Sequence, residues 1–182
     1  MSNTVGQFLL DRRQFLAVVP MVASRALAPA GPLEGVTETG QRTTPDLMMR
    51  DKVVALQFVF TSCTTMCPLL GQLFAHVQRS LDPHVRPAVL LLSVSVDPET
   101  DTPSRLRRFL SDHGAQPGWH ALRLPRPALA RFLAAVGEDA STPMAHSAQT
   151  IVLDRTRAEV ARFRELATPA EVTAAIAKAH RG

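Results

Sequence analysis

Val53-Val-Ala-Leu-Gln-Phe-Val-Phe60-Thr-Ser-Cys63-Thr-Thr-Met-Cys67-Pro68 is the stretch on which the fold turns. Its first eight residues form a nearly continuous apolar run of strand length, the pattern of a strand buried on both faces. Pro68 marks the next element, because proline is tolerated in the first turn of a helix and hardly anywhere else inside one. The spacing therefore predicts a helix starting at Pro68, with Cys67 at or beside its cap. Leu69, Leu70, Leu73, Phe74, Val77 and Leu81 lay down its apolar stripe, and Asp82-Pro83 ends it. Ala88 to Val96 supplies a second apolar strand. Two buried strands joined through a helix demand a right-handed βαβ crossover.

Outward from this unit, Glu38-Thr-Gly40 is a turn signal between short β-prone stretches, so residues 29–49 read as a linker leading into a hairpin. Thr102-Pro103 opens a helix carrying Leu106, Phe109 and Leu110, and a further helix carries Leu129, Phe132, Leu133 and Val136. Thr150-Ile-Val-Leu153 and Glu159-Val-Ala-Arg-Phe163 read as strands joined by a tight turn at Asp154 to Arg157. Thr168-Pro-Ala-Glu171 has the cap, the proline and the glutamate of a capping box, which starts the last helix. A βαβ unit followed by a ββα unit is the thioredoxin arrangement. The expected fold class is α/β and thioredoxin-like, with an N-terminal β-hairpin extension and extra helices near 103–136.

A chain of 182 residues is long enough for one full hydrophobic core and short for two. Its net charge of +4 comes from scattered arginines, and aromatics make up only 5%. Nucleic-acid binding would need one basic face with aromatic platforms, so that class is set aside. Residues 11–16 read Asp-Arg-Arg-Gln-Phe-Leu and run into an apolar segment from Phe15 to Ala23 that ends in the small-x-small sites Ala26-Leu-Ala28 and Ala28-Pro-Ala30. That layout resembles an export signal of the twin-arginine type and is too short to span a bilayer as a helix. Residues 1–28 are read as the signal and 29–182 as the working domain. Removing the signal takes away three arginines and one aspartate, so +4 falls to +2.

The two cysteines lie close together, in an oxidising compartment if export holds. A disulfide-stapled scaffold carries more cysteines, more widely spaced, so the pair reads as a redox couple or a metal site. A helix N-terminus lowers thiol pKa, and thiolates at neutral pH attack disulfides and bind soft metals such as Cu(I).

Phe60-Thr-Ser-Cys-Thr-Thr-Met-Cys-Pro68 resembles the motif of the Sco/SenC family of copper-delivery proteins. Ser93-Val-Ser-Val-Asp-Pro-Glu-Thr-Asp-Thr-Pro103, Pro117-Gly-Trp119 and Ala145-His-Ser147 resemble three further stretches of that family in the expected order. The resemblance covers roughly residues 33–180, and it implies copper ligation by Cys63, Cys67 and His146. Many members have a proline after the first cysteine, where Thr64 stands here. The family's role implies copper, as Cu(I), Cu(II) or both, passed to a respiratory enzyme subunit such as the dinuclear copper site of cytochrome c oxidase. It also implies a thiol reductant protein as a partner. The expectation is a monomer in the periplasm with peripheral or no membrane contact, or one held at the membrane if the signal is retained.

The second reading is a thiol–disulfide oxidoreductase, with Cys63 and Cys67 as a redox-active disulfide that keeps a partner's copper-ligand cysteines reduced. A peroxide-reducing enzyme is a weaker match, because Phe60 stands where such enzymes place a proline. Met66 and Met144 are thioethers near the expected site, more often packing than ligands. Asp97 ends the second strand and orients a ligand, meets a partner or caps the next helix. The other histidines, 76, 84, 113, 120 and 180, are read as structural or merely exposed.

Overall fold

The computed structural model of the protein describes residues 33–138 and 148–182. In chain order, β1 (Gly35–Thr37) and β2 (Arg42–Thr43) lead through the single-turn helix α1 (Pro45–Met48) into β3 (Val53–Val59). Then come α2 (Met66–Ser80), β4 (Val89–Ser95), α3 (Pro103–Asp112), β5 (Trp119–Arg123) and α4 (Arg126–Ala135). The chain closes with β6 (Thr150–Leu153), β7 (Glu159–Phe163) and α5 (Pro169–Arg181).

The described residues form a seven-stranded sheet in the order β2-β1-β5-β4-β3-β6-β7. β3 pairs in parallel with β4 along its whole length and antiparallel with β6 on its other edge, where Gln57 faces Thr150. Every residue of β3 is buried, because both faces are covered. Val53 and Ala55 face a core built from α2, α3 and α5, including Phe74, Leu106 and Ile176. Val54, Leu56 and Phe58 face the opposite core, which α4 closes with Leu129, Phe132 and Leu133. The β3–α2–β4 and β6–β7–α5 units are those of the thioredoxin arrangement, so the fold class read from the sequence holds.

The caps form as their residues dictate. Thr102 accepts from the Arg105 N–H at 3.3 Å, and at α5 Thr168 and Glu171 make the reciprocal capping box. At the β1–β2 turn Gly40 has φ +86°, a conformation that costs glycine nothing. The hairpin is tied to the body through the buried Glu38, whose carboxylate accepts from the Ala121 N–H at 3.0 Å and pairs with His120 Nδ1 at 2.9 Å.

One strand departs from the sequence reading. β5 lies within the stretch assigned only helices and the Pro117-Gly-Trp119 loop, and it pairs in parallel with β4 and antiparallel with β1. Its five residues include His120 and Arg123, which break the apolar run that marks a buried strand. Trp119, Ala121 and Leu122 are nevertheless buried. The Trp119 Nε1–H donates to Ser93 Oγ at 3.0 Å, and the Gln57 side-chain amide donates to the same oxygen at 2.8 Å. Ser93 thus links three neighbouring strands inside the core.

Gly71 in α2 shows how close the helix packing is. A Cβ there would lie 2.4 Å from the imidazole of His113. That ring cannot swing away freely, because Nδ1 lies 2.7 Å from the Phe109 carbonyl and the ring packs on Phe109 and Trp119. Gly71→Ala gains about 1 kcal/mol of helix propensity and loses about 1–3 kcal/mol to overpacking. The expected net result is destabilisation. In a urea-denaturation double-mutant cycle, Gly71→Ala combined with His113→Ala should be less destabilised than the sum of the single variants; strict additivity would contradict the clash.

Candidate metal centre

β3 delivers the chain to Phe60, and a turn closed by the Cys63 N–H on the Phe60 carbonyl at 3.1 Å carries it towards α2. The helix starts at Met66, two residues earlier than proline placement suggests, with Thr65 at the N-cap and Pro68 at the third helical position. Pro68 still fits, since the first four helical N–H groups lack intrahelical partners. Cys63 lies in the preceding loop, and Cys67 in the first turn.

Thr65 makes no side-chain cap. A sulfur takes that place: the Cys67 N–H donates to Cys63 Sγ at 3.3 Å, and Thr65 Oγ1 lies 3.9 Å from the same sulfur. Burial works against ionising Cys63, but these backbone and side-chain hydrogen bonds from Cys67 and Thr65 outweigh it and bring its pKa down to about 7. Cys67 goes the other way. Burial pushes its thiol up to about 12, against a lowering contact with the Phe60 backbone and with further raising by the charges of Cys63 and Asp101. The sequence expectation that both thiols ionise easily at the helix N-terminus is therefore corrected. The sulfur outside the helix gains the N–H contact, whereas the one inside it is buried at 4% exposure. No disulfide joins Cys63 to Cys67 in this structure.

Asp101 escaped the sequence reading. It is fully buried, and its Oδ1 accepts from the Thr61 N–H at 3.0 Å and from the Thr61 hydroxyl, while Oδ2 accepts from Ser95 Oγ at 2.6 Å. It thereby fixes the backbone two residues before Cys63. Its one sequence signal is an acidic residue directly before the Thr102-Pro103 helix start. Asp97 itself builds the turn, its carbonyl accepting from Thr100 and Asp101 and its N–H donating to Ser95 Oγ.

Met66 is exposed at the start of α2. Met144 and His146 lie outside the described residues, as does the whole signal segment. The described ends of the stretch carrying them are tied together: Gln149 donates to Glu138 Oε2 at 2.8 Å, and Arg162 donates to Gln149 Oε1 at 3.2 Å and to the Val136 carbonyl at 2.6 Å. β6 comes directly after, and its pairing of Thr150 with Gln57 starts it near the end of β3 from which the cysteine loop leaves. Among the described residues no group of three or more His, Cys, Asp or Glu side chains is arranged to hold a metal ion. Among them also, no helix is long and apolar enough to cross a membrane.

A thioredoxin-like sheet with two thiols meeting at the N-terminus of its first crossover helix defines a class of thiol and metal-handling proteins. Within that class the chain belongs to the SCO1/SenC family, whose family model matches residues 23–123, more than half of its length. A SCO1 protein homolog of Bacillus subtilis (strain 168) is 32% identical over 65 residues, which is 36% of this chain and 33% of the relative. The match thus spans about a third of that relative's length. The structure of Bradyrhizobium japonicum ScoI with copper bound superposes with a TM-score of 0.67 at 25% identity, covering 81% of this chain and 97% of the other. BsSco, a member of the Sco family of cytochrome c oxidase assembly proteins in which a disulfide switch has been identified, superposes with a TM-score of 0.69 at 16% identity. That match covers 87% of this chain and 95% of BsSco, and it speaks for the fold.

The unequal thiols make a direct prediction. Rapid alkylation of the reduced protein should label Cys63 first, its rate rising with pH through a midpoint of about 7, while Cys67 stays unlabelled in the native state well above that pH. Mass mapping of the labelled peptide checks it, and preferential labelling of Cys67 would contradict it.

Proposed function

We propose that the protein binds copper through Cys63, Cys67 and His146 and serves in the assembly of cytochrome c oxidase, delivering the ion to a respiratory copper enzyme. Copper is the cargo, and the donor set suits it: two sulfurs meeting at one helix N-terminus are soft ligands, and an imidazole adds the nitrogen that Cu(II) prefers. The observation that carries the reading is the nearness of the two cysteines, whose side chains interact and of which Cys67 donates its backbone N–H to Cys63 Sγ at 3.3 Å, in a chain of the SCO1/SenC family. The copper held by the Bradyrhizobium japonicum relative supports it.

A second reading rests on the inequality of the thiols. An accessible sulfur ionising at about 7 and a buried one held protonated have the characters of an attacking and a resolving thiol. The protein would then reduce the copper-ligand cysteines of its recipient, and the disulfide switch of BsSco is in keeping with that. Both readings need thiolates, so oxidation to a Cys63–Cys67 disulfide ends metal binding.

His146 separates the two. Disulfide exchange needs both thiols but no imidazole, whereas a three-ligand site needs all three groups. His146→Ala should weaken copper binding, roughly 10–100-fold and most for Cu(II), while leaving disulfide reduction near wild type. Cys63→Ser and Cys67→Ser should lose both activities. Competition titrations with a copper chelator and an insulin-type reduction assay read the two properties, and unchanged affinity for both copper states would remove His146 from the ligand set.

Residues 29–182 are proposed to act in the periplasm after twin-arginine export directed by residues 1–28. The pair is read by a receptor, so Arg12→Lys with Arg13→Lys should strand the protein in the cytoplasm. Cell fractionation checks this, and an unchanged periplasmic yield would overturn it.

A further inference from the structure

Cys63 opens into a cleft of 490 Å³, within the range of small-molecule sites, whose wall on α3 carries Arg105, Arg108 and Asp112. Arg105 is exposed and spends one N–H on the Thr100 carbonyl at 3.2 Å. Arg108 and Asp112 sit 3.6 Å apart with most of both side chains in water, a pair weak enough for a ligand to replace. Phe60 and Phe109 add apolar surface to the same cleft. The cleft that holds this sulfur is thus also lined by two guanidinium groups, one carboxylate and the His113 ring. The complement of that set is a small sulfur compound bearing two carboxylates and one ammonium, since each carboxylate can take a forked pair of N–H donors from an arginine.

We propose that this cleft binds a low-molecular-weight peptide thiol of the glutathione class and that Cys63 exchanges disulfides with it. The Cys63 thiolate attacks one sulfur of the ligand's disulfide, forming a mixed disulfide and releasing one ligand thiolate, which takes a proton from water. Cys67 then loses its proton to solvent and attacks the Cys63 sulfur. The Cys63–Cys67 bond forms and the second ligand thiolate leaves. Two electrons pass from the protein dithiol to the ligand disulfide, and the reverse sequence spends two ligand thiols to reduce the protein. This names a small-molecule partner for the thiol chemistry of the site and does not rest on copper binding.

The test uses the reduced full chain and three disulfides: glutathione disulfide, hydroxyethyl disulfide, which is neutral, and dithiodiglycolate, which has carboxylates but no ammonium. Arg105→Ser with Arg108→Ser removes both carboxylate contacts and should slow glutathione disulfide by at least roughly tenfold, the effect of losing even one charge-assisted contact, and change hydroxyethyl disulfide less than about twofold. Asp112→Asn should slow glutathione disulfide and not dithiodiglycolate. A general positive field predicts the opposite sign, because removing a negative charge would speed both anions. Cys67→Ser should trap one glutathionyl group on Cys63, read by mass spectrometry. Equal losses with all three disulfides in the arginine variant, or faster reaction of glutathione disulfide with Asp112→Asn, would overturn the proposal. The first result would mean that the arginines act on the reactivity of Cys63 itself, and the second that the cleft is only a general positive field. Copper stoichiometry, measured on the same arginine variant, should remain at the wild-type value, so a failure of the copper reading shows itself separately.

Discussion

β3 can be buried along its whole length only if both its faces are covered and both its edges are paired, and the rest of the molecule depends on that constraint. α2, α3 and α5 cover one face, α4 covers the other, β4 pairs along the whole of one edge, and β6 pairs with Val54 to Gln57 on the other. A fully buried strand must also release its chain at a defined place. It does so at Phe60, beside the start of α2 and near the start of β6. The cysteine loop and the approach to the stretch carrying His146 are consequences of how one strand is enclosed.

The chemistry then comes from a difference in solvent access between two residues four apart. A helix start leaves backbone N–H groups without partners, and Thr65 does not cap this one. The sulfur of Cys63, just outside the helix, accepts the Cys67 N–H and stays half-exposed, while Cys67 turns into the core. Asp101 holds the loop through Thr61, and its negative charge adds a little to the burial that keeps Cys67 protonated. One fold therefore offers a reactive thiolate and a reserve thiol side by side. A metal that displaces the Cys67 proton would make the two sulfurs equivalent donors, because ligation requires the thiolate.

Much of this was legible in the residues themselves. The apolar run at 53–60, the proline after Cys67 and the capping residues Thr102, Thr168 and Glu171 each carry a local physical meaning that survives in the fold. What stayed hidden depended on contacts distant in sequence. β5 is short and carries His120 and Arg123, and only its pairing between β4 and β1 makes it a strand. Asp101 looks like any acidic residue near a helix start until Thr61, forty positions away, is found bonded to it. The opposite ionisation of the two cysteines could not be read from their spacing, since the helix dipole favours both thiolates and the burial of Cys67, with the hydrogen bonds that Cys63 accepts, separates them. Likewise, Arg105 and Arg108 look like a solvated helix face until α3 is seen to wall the cleft at Cys63.

Copper delivery, as proposed, places the ion on the two sulfurs at the start of α2. X-ray absorption at the copper edge of the reduced, copper-loaded protein tests it most directly, because it counts the kinds of atom bound to the metal. The expected first shell holds two sulfur scatterers and one imidazole nitrogen. A shell made only of oxygen and nitrogen would contradict it.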